Sequence, residues 1–440
     1  MQNHIKKEFI HYVSQSILAM IGLSCYILAD TFFISWGLGE NGLAALNIAC
    51  PVFNIVFATG LMLGVGGGAR YAMAKGAGDK ALGDEVFSHT ARTMLVAALF
   101  FLSLGIFFSE PIARFLGAEG DILPLCKTYV QVILCFAPFF LCNNMCQNFV
   151  RNDGQPRLAM VAMLSGNLFN IVFDYVLIFP CGLGMLGAAL ATGFSPIVSV
   201  AILSRYVLGK QKGFHFIPCS FRPRLLSRIA ATGFPSFLGE LSNGLVMLTF
   251  NQLLLKMGGN TAVAAYTVIV NVNFVVISIF NGVGQGCQPL VSLSYGEGNR
   301  EKIRTLLRYG FFTVGTLALC LYGLLFFGAD MVAGIFNREG VVALQTLASQ
   351  GIRLYFLAVL FSGFNLFLVN YFAASNQAVF AQIVAGLRGY VLIFPFAFFF
   401  AHTWQITGLW LAPPVAEALT LVAALCFYFR ARNRAITPIQ

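Results

Sequence analysis

The chain has 440 residues, 58% of them hydrophobic and only 10% charged, with a mean hydropathy of +0.80, where an ordinary soluble domain carries roughly 25% charged residues. A water-soluble fold is excluded. The formal net charge of +10 does not indicate nucleic acid either, because the basic residues are scattered through short inter-helix loops rather than gathered on one polar domain.

Apolar runs between charged or Gly/Pro/Asn-rich breaks predict twelve membrane helices, near 10–36, 44–70, 91–110, 125–149, 158–180, 185–206, 229–256, 263–294, 308–328, 350–373, 378–400 and 405–429. Residues 41–69, 128–150, 257–296 and 354–387 contain no Asp, Glu, Lys or Arg, and about 20 such residues suffice to cross the hydrocarbon. The apolar run after Lys6 and Lys7 is followed by more membrane segments, not by a polar mature domain, so the first helix is read as retained. On the side of the termini lie 21 Lys and Arg, while the opposite side has five: Arg114, Lys127, Lys256, Arg338 and Arg353. That asymmetry predicts a multi-pass protein of the plasma (cytoplasmic) membrane with both termini cytoplasmic.

Few charges fall inside the predicted spans. They are Asp30 in the first, Asp174 in the fifth, Glu240 in the seventh, Arg388 in the eleventh and Glu417 in the twelfth. Each costs at least a few kcal/mol on insertion scales and is therefore a functional candidate. Asn170 and Asp174 are four residues apart and project from one face of the fifth helix. The alternation of spans puts Asp174 and Asp30 at a similar depth, in the outer half of the membrane. Two buried carboxylates sharing a pocket require a proton or a bound cation such as Na⁺, with Asn170 supplying a neutral oxygen in the second case. Glu240, Arg388 and Glu417 share one half of the chain, where one Arg and two acids suit either substrate binding or a neutralised structural network.

The sequence also matches itself. At an offset of 220, Gly39, Ala44, Ala45, Gly64, Gly66, Gly76 and Gly78 meet Gly259, Ala264, Ala265, Gly284, Gly286, Gly296 and Gly298 without a gap. Tyr-Val-Leu-Ile-Phe-Pro occurs at 175–180 and again at 390–395. The expected fold is all-α and integral to the membrane: two homologous six-helix bundles related by a pseudo-two-fold axis along the membrane normal, enclosing a cleft. The expected division is an N-terminal lobe over 1–206, a basic interlobe linker over 207–228 and a C-terminal lobe over 229–440.

Other motifs carry less. Gly64 to Ala69 fits the dinucleotide pattern but lacks the strand that must precede it, so close helix approach explains it better. Cys142 and Cys146 lie one turn apart without a further ligand and read as packing. The five histidines have no metal spacing and fall mostly in predicted loops, and no nucleophile–base arrangement stands out. No enzymatic activity and no cofactor are expected.

Ala29-Asp30-Thr31-Phe32-Phe33-Ile34, Gly39 through Ala45 and the turn Gly76-Ala77-Gly78-Asp79-Lys80 resemble the multidrug and toxic compound extrusion (MATE) transporters over nearly the whole chain. The resemblance implies an antiporter of twelve helices that expels amphipathic, often cationic organic compounds in exchange for H⁺ or Na⁺. It implies an N-lobe cation site at Asp30, Asn170, Asp174 and Thr192. Some branches add a C-lobe site with an acid on the seventh helix and another on the tenth; Glu240 resembles the first, but the tenth helix offers Asn365, Asn370 and Tyr371 instead.

The expected mechanism is alternating access by rocking of two lobes, in a monomer whose partners are small organic molecules and the lipid bilayer. Its rivals are a dedicated metabolite exporter or lipid-linked precursor flippase of the same superfamily, and a non-transporting receptor or scaffold. A flippase for anionic lipids needs several cleft cations, and only Arg388 is available.

Overall fold

A computed structural model describes residues 2–337 and 341–432. Arg338, counted above among the basic residues of the far side, lies outside the described residues. The described residues are helical almost throughout, and nine helices are long and apolar enough to cross a membrane, with a bent pair supplying a tenth. Two of the nine are each two spans. The helix Pro223–Gly296 has 74 residues, about 110 Å of helix, and breaks at Gly259 (φ 63°, ψ −156°). The run Ala378–Arg430 breaks at Trp404 and Gln405.

The twelve membrane helices are therefore α1 (Asn3–Gly39), α2 (Asn41–Gly76), α3 (Lys80–Phe107), α4 (Ile122–Cys135 continued by Ala137–Asn152 with a 47° bend), α5 (Pro156–Ile178), α6 (Gly184–Val207), α7 (223–258), α8 (260–296), α9 (Arg300–Phe327), α10 (Val342–Ala374), α11 (378–403) and α12 (406–432). Short helices at Ser109–Phe115 and Ala329–Phe336 follow α3 and α9, where the hydropathy pattern shows only loops. Ser109 and Ala329 are equivalent positions in the gapless register of the repeat.

The repeat is visible in the backbone. Gly39 turns the chain between α1 and α2 at φ 63°, ψ −152°, as Gly259 does between α7 and α8. Only glycine adopts this region without strain. Asp79 caps α3 by accepting from the Leu82 N–H at 3.0 Å. Its counterpart in the repeat, Asn299, caps α9 by accepting from the Lys302 N–H at 3.0 Å.

Within the first half, α2 meets α4 along a ladder of complementary residues. Asn144, Asn148 and Asn152 each donate to the carbonyl four residues earlier, at 3.0, 2.8 and 2.8 Å. Their amides are thus largely satisfied on their own helix, and Gly60, Gly64 and Gly68 of α2 lie directly against them, with no room for a Cβ at Gly64 or Gly68.

The two halves exchange contacts symmetrically. A Cβ on Gly76 would overlap the Leu293 carbonyl, and one on Gly296 would overlap the Met73 carbonyl, so α2 and α8 cross with backbones touching. The first helix of each half packs on the second helix of the other: Gly233 of α7 abuts Met62, while Gly282 and Gly286 of α8 abut Ile17 and Val13. Ser24 donates to Ser278 Oγ at 2.6 Å, Arg70 Nε to Thr232 Oγ1 at 3.2 Å and Arg151 to Gln285 Oε1 at 2.8 Å. One consequence escapes hydropathy: Ile5, Phe9 and Val13 at the start of α1 join the hydrophobic cluster of the second half.

The stretch joining the halves is shorter than expected, because α6 runs to Val207 and α7 begins at Pro223. It is fastened to the first half. Asp153, in the turn after α4, accepts from Tyr71 at 2.6 Å, Lys75 at 2.5 Å, Tyr206 at 2.7 Å and the Gly213 N–H at 2.6 Å. Burial alone would raise the Asp153 pKa, but Lys75, Tyr71, Gly213 and Tyr206 hold it below the ordinary carboxylate value. Phe214 is fully buried between Phe87 and Phe149. His89 lies inside α3, not in a loop, and its Nε2 accepts from the Arg222 N–H at 3.0 Å.

Candidate cation and substrate site

Three helices converge on Asp30. The α5–α6 pair is drawn close by small polar residues: Ser199 Oγ donates to the Ala162 carbonyl at 2.7 Å and Ser195 Oγ to the Gly166 carbonyl at 2.9 Å, and a Cβ on Gly166 would lie 2.9 Å from the Ser195 carbonyl oxygen. Against this pair α1 docks through Gly22, at Leu164, and Gly37, at Ile178 and Phe179. The side chains left facing inward at that junction are polar.

Asp30 is 7% exposed, Thr192 4%, and Asn170 and Asp174 are fully buried. All four meet. With its amide oriented to suit its neighbours, Asn170 Nδ2 donates to Asp174 Oδ2 at 3.1 Å, and Oδ1 accepts from Thr192 Oγ1 at 3.3 Å and the Thr192 N–H at 3.2 Å; the opposite orientation would set its oxygen against acceptors. The Asp30 and Asp174 carboxyls lie within hydrogen-bonding reach of each other. One oxygen of each, Oδ1, is buried without a hydrogen-bond partner among the described residues. Two ionised carboxylates in that geometry repel, and the contact becomes favourable only with a shared proton or cation.

Tyr26, one turn before Asp30 on α1, and Tyr129 of α4 stand within electrostatic range of both acids. They were not among the expected site residues. Tyr26 carried a usable signal in its four-residue spacing from Asp30; Tyr129 carried none, because its proximity depends on how α4 bends.

The three charges of the second half do not form one network. Arg388 Nε and Nη2 donate to Glu417 Oε1 at 3.1 and 2.7 Å, and Asn365 of α10 donates to Glu417 Oε2 at 2.6 Å and to the Glu417 carbonyl at 2.8 Å. Arg388 sits in a π-helical turn, Leu387–Val391, that interrupts α11. Glu240 is outside this triad. The network of one Arg and two acids is therefore corrected to Arg388 and Glu417 with Asn365 as third member, leaving Glu240 out. Cys142 and Cys146 touch at 3.9 Å, and no group of three metal-ligating side chains occurs among the described residues.

Comparison with known proteins agrees with this architecture. The MatE family model matches residues 16–176 and 235–399, one stretch in each half. The chain is 26% identical over 436 residues to the multidrug export protein MepA of Staphylococcus saprophyticus, covering 98% of this chain and 95% of that protein. It is 26% identical over 431 residues to MepA of Staphylococcus aureus, covering 97% and 94%. Among solved structures, the outward-facing conformation of a multidrug resistance MATE family transporter superposes with a TM-score of 0.91 at 25% identity, covering 97% of this chain and 96% of that one. A transporter of the MOP superfamily from Pyrococcus furiosus, described as having a binding pocket of reverse polarity, superposes with a TM-score of 0.90 at 25% identity and the same coverage. By fold, repeat and family model, this chain belongs to the MATE family of cation-coupled membrane transporters.

Proposed function

We propose that this protein exports amphipathic, often cationic organic compounds from the cytoplasm in exchange for H⁺, by alternating access of two lobes, 1–206 and 229–440, with both termini cytoplasmic. The carrying observation is the Asp30–Asp174 contact, two buried carboxyls in hydrogen-bonding reach. A proton shared between them satisfies that geometry. The multidrug export relatives support the substrate class, and the excess of Lys and Arg on the terminal side supports the orientation.

The halves touch backbone to backbone near Gly76 and Gly296, close to the loops on the side of the termini. With that side cytoplasmic, this is an outward-facing state, ready to take up protons and release substrate. Proton entry at Asp30 and Asp174 would alter how α1 packs on α5 and so bias the lobes toward the inward-facing state.

Reconstituted vesicles carrying a fluorescent cationic dye test this reading. An imposed pH gradient should drive dye transport, and an Na⁺ gradient alone should not. Asp30→Asn and Asp174→Asn proteins, shown to be correctly inserted, should lose at least about 90% of the gradient-driven rate, a change of about 1.4 kcal/mol or more in the barrier. Full proton-driven transport by both variants would refute the site, and transport driven only by Na⁺ would refute the ion.

A further inference from the structure

We propose that the groove at the start of α7 binds the headgroup phosphate of an anionic phospholipid. The groove, about 410 Å³, is lined by Pro223, Arg224, Ser227 and Arg228. Arg224 and Arg228 are four residues apart and project from one face of the helix. Both are exposed, and neither guanidinium group has a hydrogen-bond or ion-pair partner among the described residues. The neighbouring Arg222 is different, since it is bound to Glu85 at 2.8 Å. Behind the groove, Arg70 is 7% exposed, donates to Thr232 and lies close enough to Arg228 for the two charges to repel. No carboxylate is among the residues lining the groove. Arg70 and Arg228 raise each other's energy, and an anion held by Arg224 and Arg228 offsets that repulsion.

Depth selects the anion. From Ile229 to Leu255 the only charged residue is Glu240, so the hydrocarbon boundary falls next to Arg228. Arg224 stands about 7 Å beyond Ile229 along the helix axis, within the headgroup layer of roughly 5–8 Å on each face of a bilayer. The adjoining linker exposes Phe216 and Phe221, apolar rings of the kind that insert at the boundary of headgroups and acyl chains. Asp153 and Phe214 hold that linker against the first half. Two guanidinium groups and the Ser227 hydroxyl suit a phosphodiester, whose oxygens accept charge-assisted hydrogen bonds. The groove lies where the linker, bound to the first half, hands over to the second, so a lipid seated there touches the joint between them.

Native mass spectrometry of the purified full-length protein, incubated with equal amounts of phosphatidylglycerol and phosphatidylcholine, tests the proposal. The protein should retain phosphatidylglycerol preferentially. The Arg224→Gln/Arg228→Gln double variant should lower that retention roughly tenfold or more, while Lys6→Gln/Lys7→Gln, which removes the same charge from another exposed site, should leave it unchanged. Retention by the arginine variant, equal loss from both variants, or displacement of the lipid by an excess of inorganic phosphate would overturn it. Should the double variant not give a monodisperse helical protein, the single Arg224→Gln variant is read by the same criteria.

Discussion

A single added methyl group at Gly233 should break the seal between the halves. A Cβ built there would overlap the Met62 carbonyl oxygen and lie 2.6 Å from the carbonyl carbon and 2.9 Å from Cα, whereas carbon atoms in contact sit near 3.5–4.0 Å. The obstruction is backbone on both sides, so no rotamer relieves it. Helices α2 and α7 must part by roughly 1.5–2 Å to restore an ordinary contact distance to that oxygen. Overpacking of this kind costs roughly 1–3 kcal/mol, which moves a two-state equilibrium about 5- to 150-fold toward whichever state separates them. The site-specific readout is Ser24, 1% exposed and hydrogen-bonded across the seal to Ser278. In a background lacking other cysteines, Ser24→Cys should react with a membrane-impermeant thiol reagent several-fold faster when Gly233→Ala is present. Gly239→Ala on the same helix, where a Cβ has nothing within 4 Å, should leave the labelling rate unchanged. If Gly233→Ala labels and transports like the parent, the backbone contact does not hold the seal.

Three further outcomes follow from buried charge and backbone shape. Removing the charge with Asp153→Asn leaves Lys75 without its counter-charge and replaces one of the two acceptor oxygens that hold Tyr71, Tyr206 and Gly213 with a donor, with an expected loss of about 3 kcal/mol, seen as a lower Tm and faster proteolysis within 208–222. Because the folded-state pKa of Asp153 is depressed, its contribution is complete above the ordinary Asp value near 4 and is lost as pH falls through the folded value; acid titration of the parent should release the same cleavage only below about pH 4. Glu417→Gln strands Arg388 in the membrane and should cost about 3–5 kcal/mol, whereas Arg388→Met/Glu417→Met should recover most of that stability in a thermal melt. Gly39→Ala and Gly259→Ala each force a side chain into a glycine-only backbone region and should lower stability by about 1–3 kcal/mol, by similar amounts at the two positions because the dihedral angles match.

Hydropathy and self-similarity are local properties of the chain, and what they report is local. Twelve spans and the register of the repeat were legible because lipid accepts only apolar side chains and because Gly39 and Gly259, or Gly76 and Gly296, recur in a gapless frame. The convergence of Asp30, Asn170, Asp174 and Thr192 was legible through spacing on α5 together with family resemblance. Helix ends were not: α3 begins at Lys80, well before the apolar run does, since its first turns lie outside the hydrocarbon and carry Asp84, Glu85 and His89. The partner of Arg388 was not legible either, because Glu417, itself held by Asn365 of α10, reaches it from another helix, α12, and meets it in a turn whose π-helical winding hydropathy does not register.

Why the acid pair is found in one half only is answered by packing at the equivalent positions. Phe250, the counterpart of Asp30 in the repeat, is fully buried and stacks at 5.3 Å on Tyr266, which in turn stacks at 6.0 Å on Trp410. A carboxylate there would displace part of this aromatic column and bring a charge into an apolar core. In the register of the repeated hexapeptide, Asp174 corresponds to Gly389, where even a Cβ would lie 2.8 Å from Ser242, and Asn170 to Ala385, which is 4% exposed. The second half has filled the space in which the first holds its polar cluster, and its own intramembrane cation is neutralised by Glu417. Glu240 is left as an acid with no hydrogen-bond or ion-pair partner among the described residues. If it serves cationic substrate and not a second ion site, as we propose, its loss should weaken binding of cationic substrates while leaving the pH dependence of transport with Asp30 and Asp174.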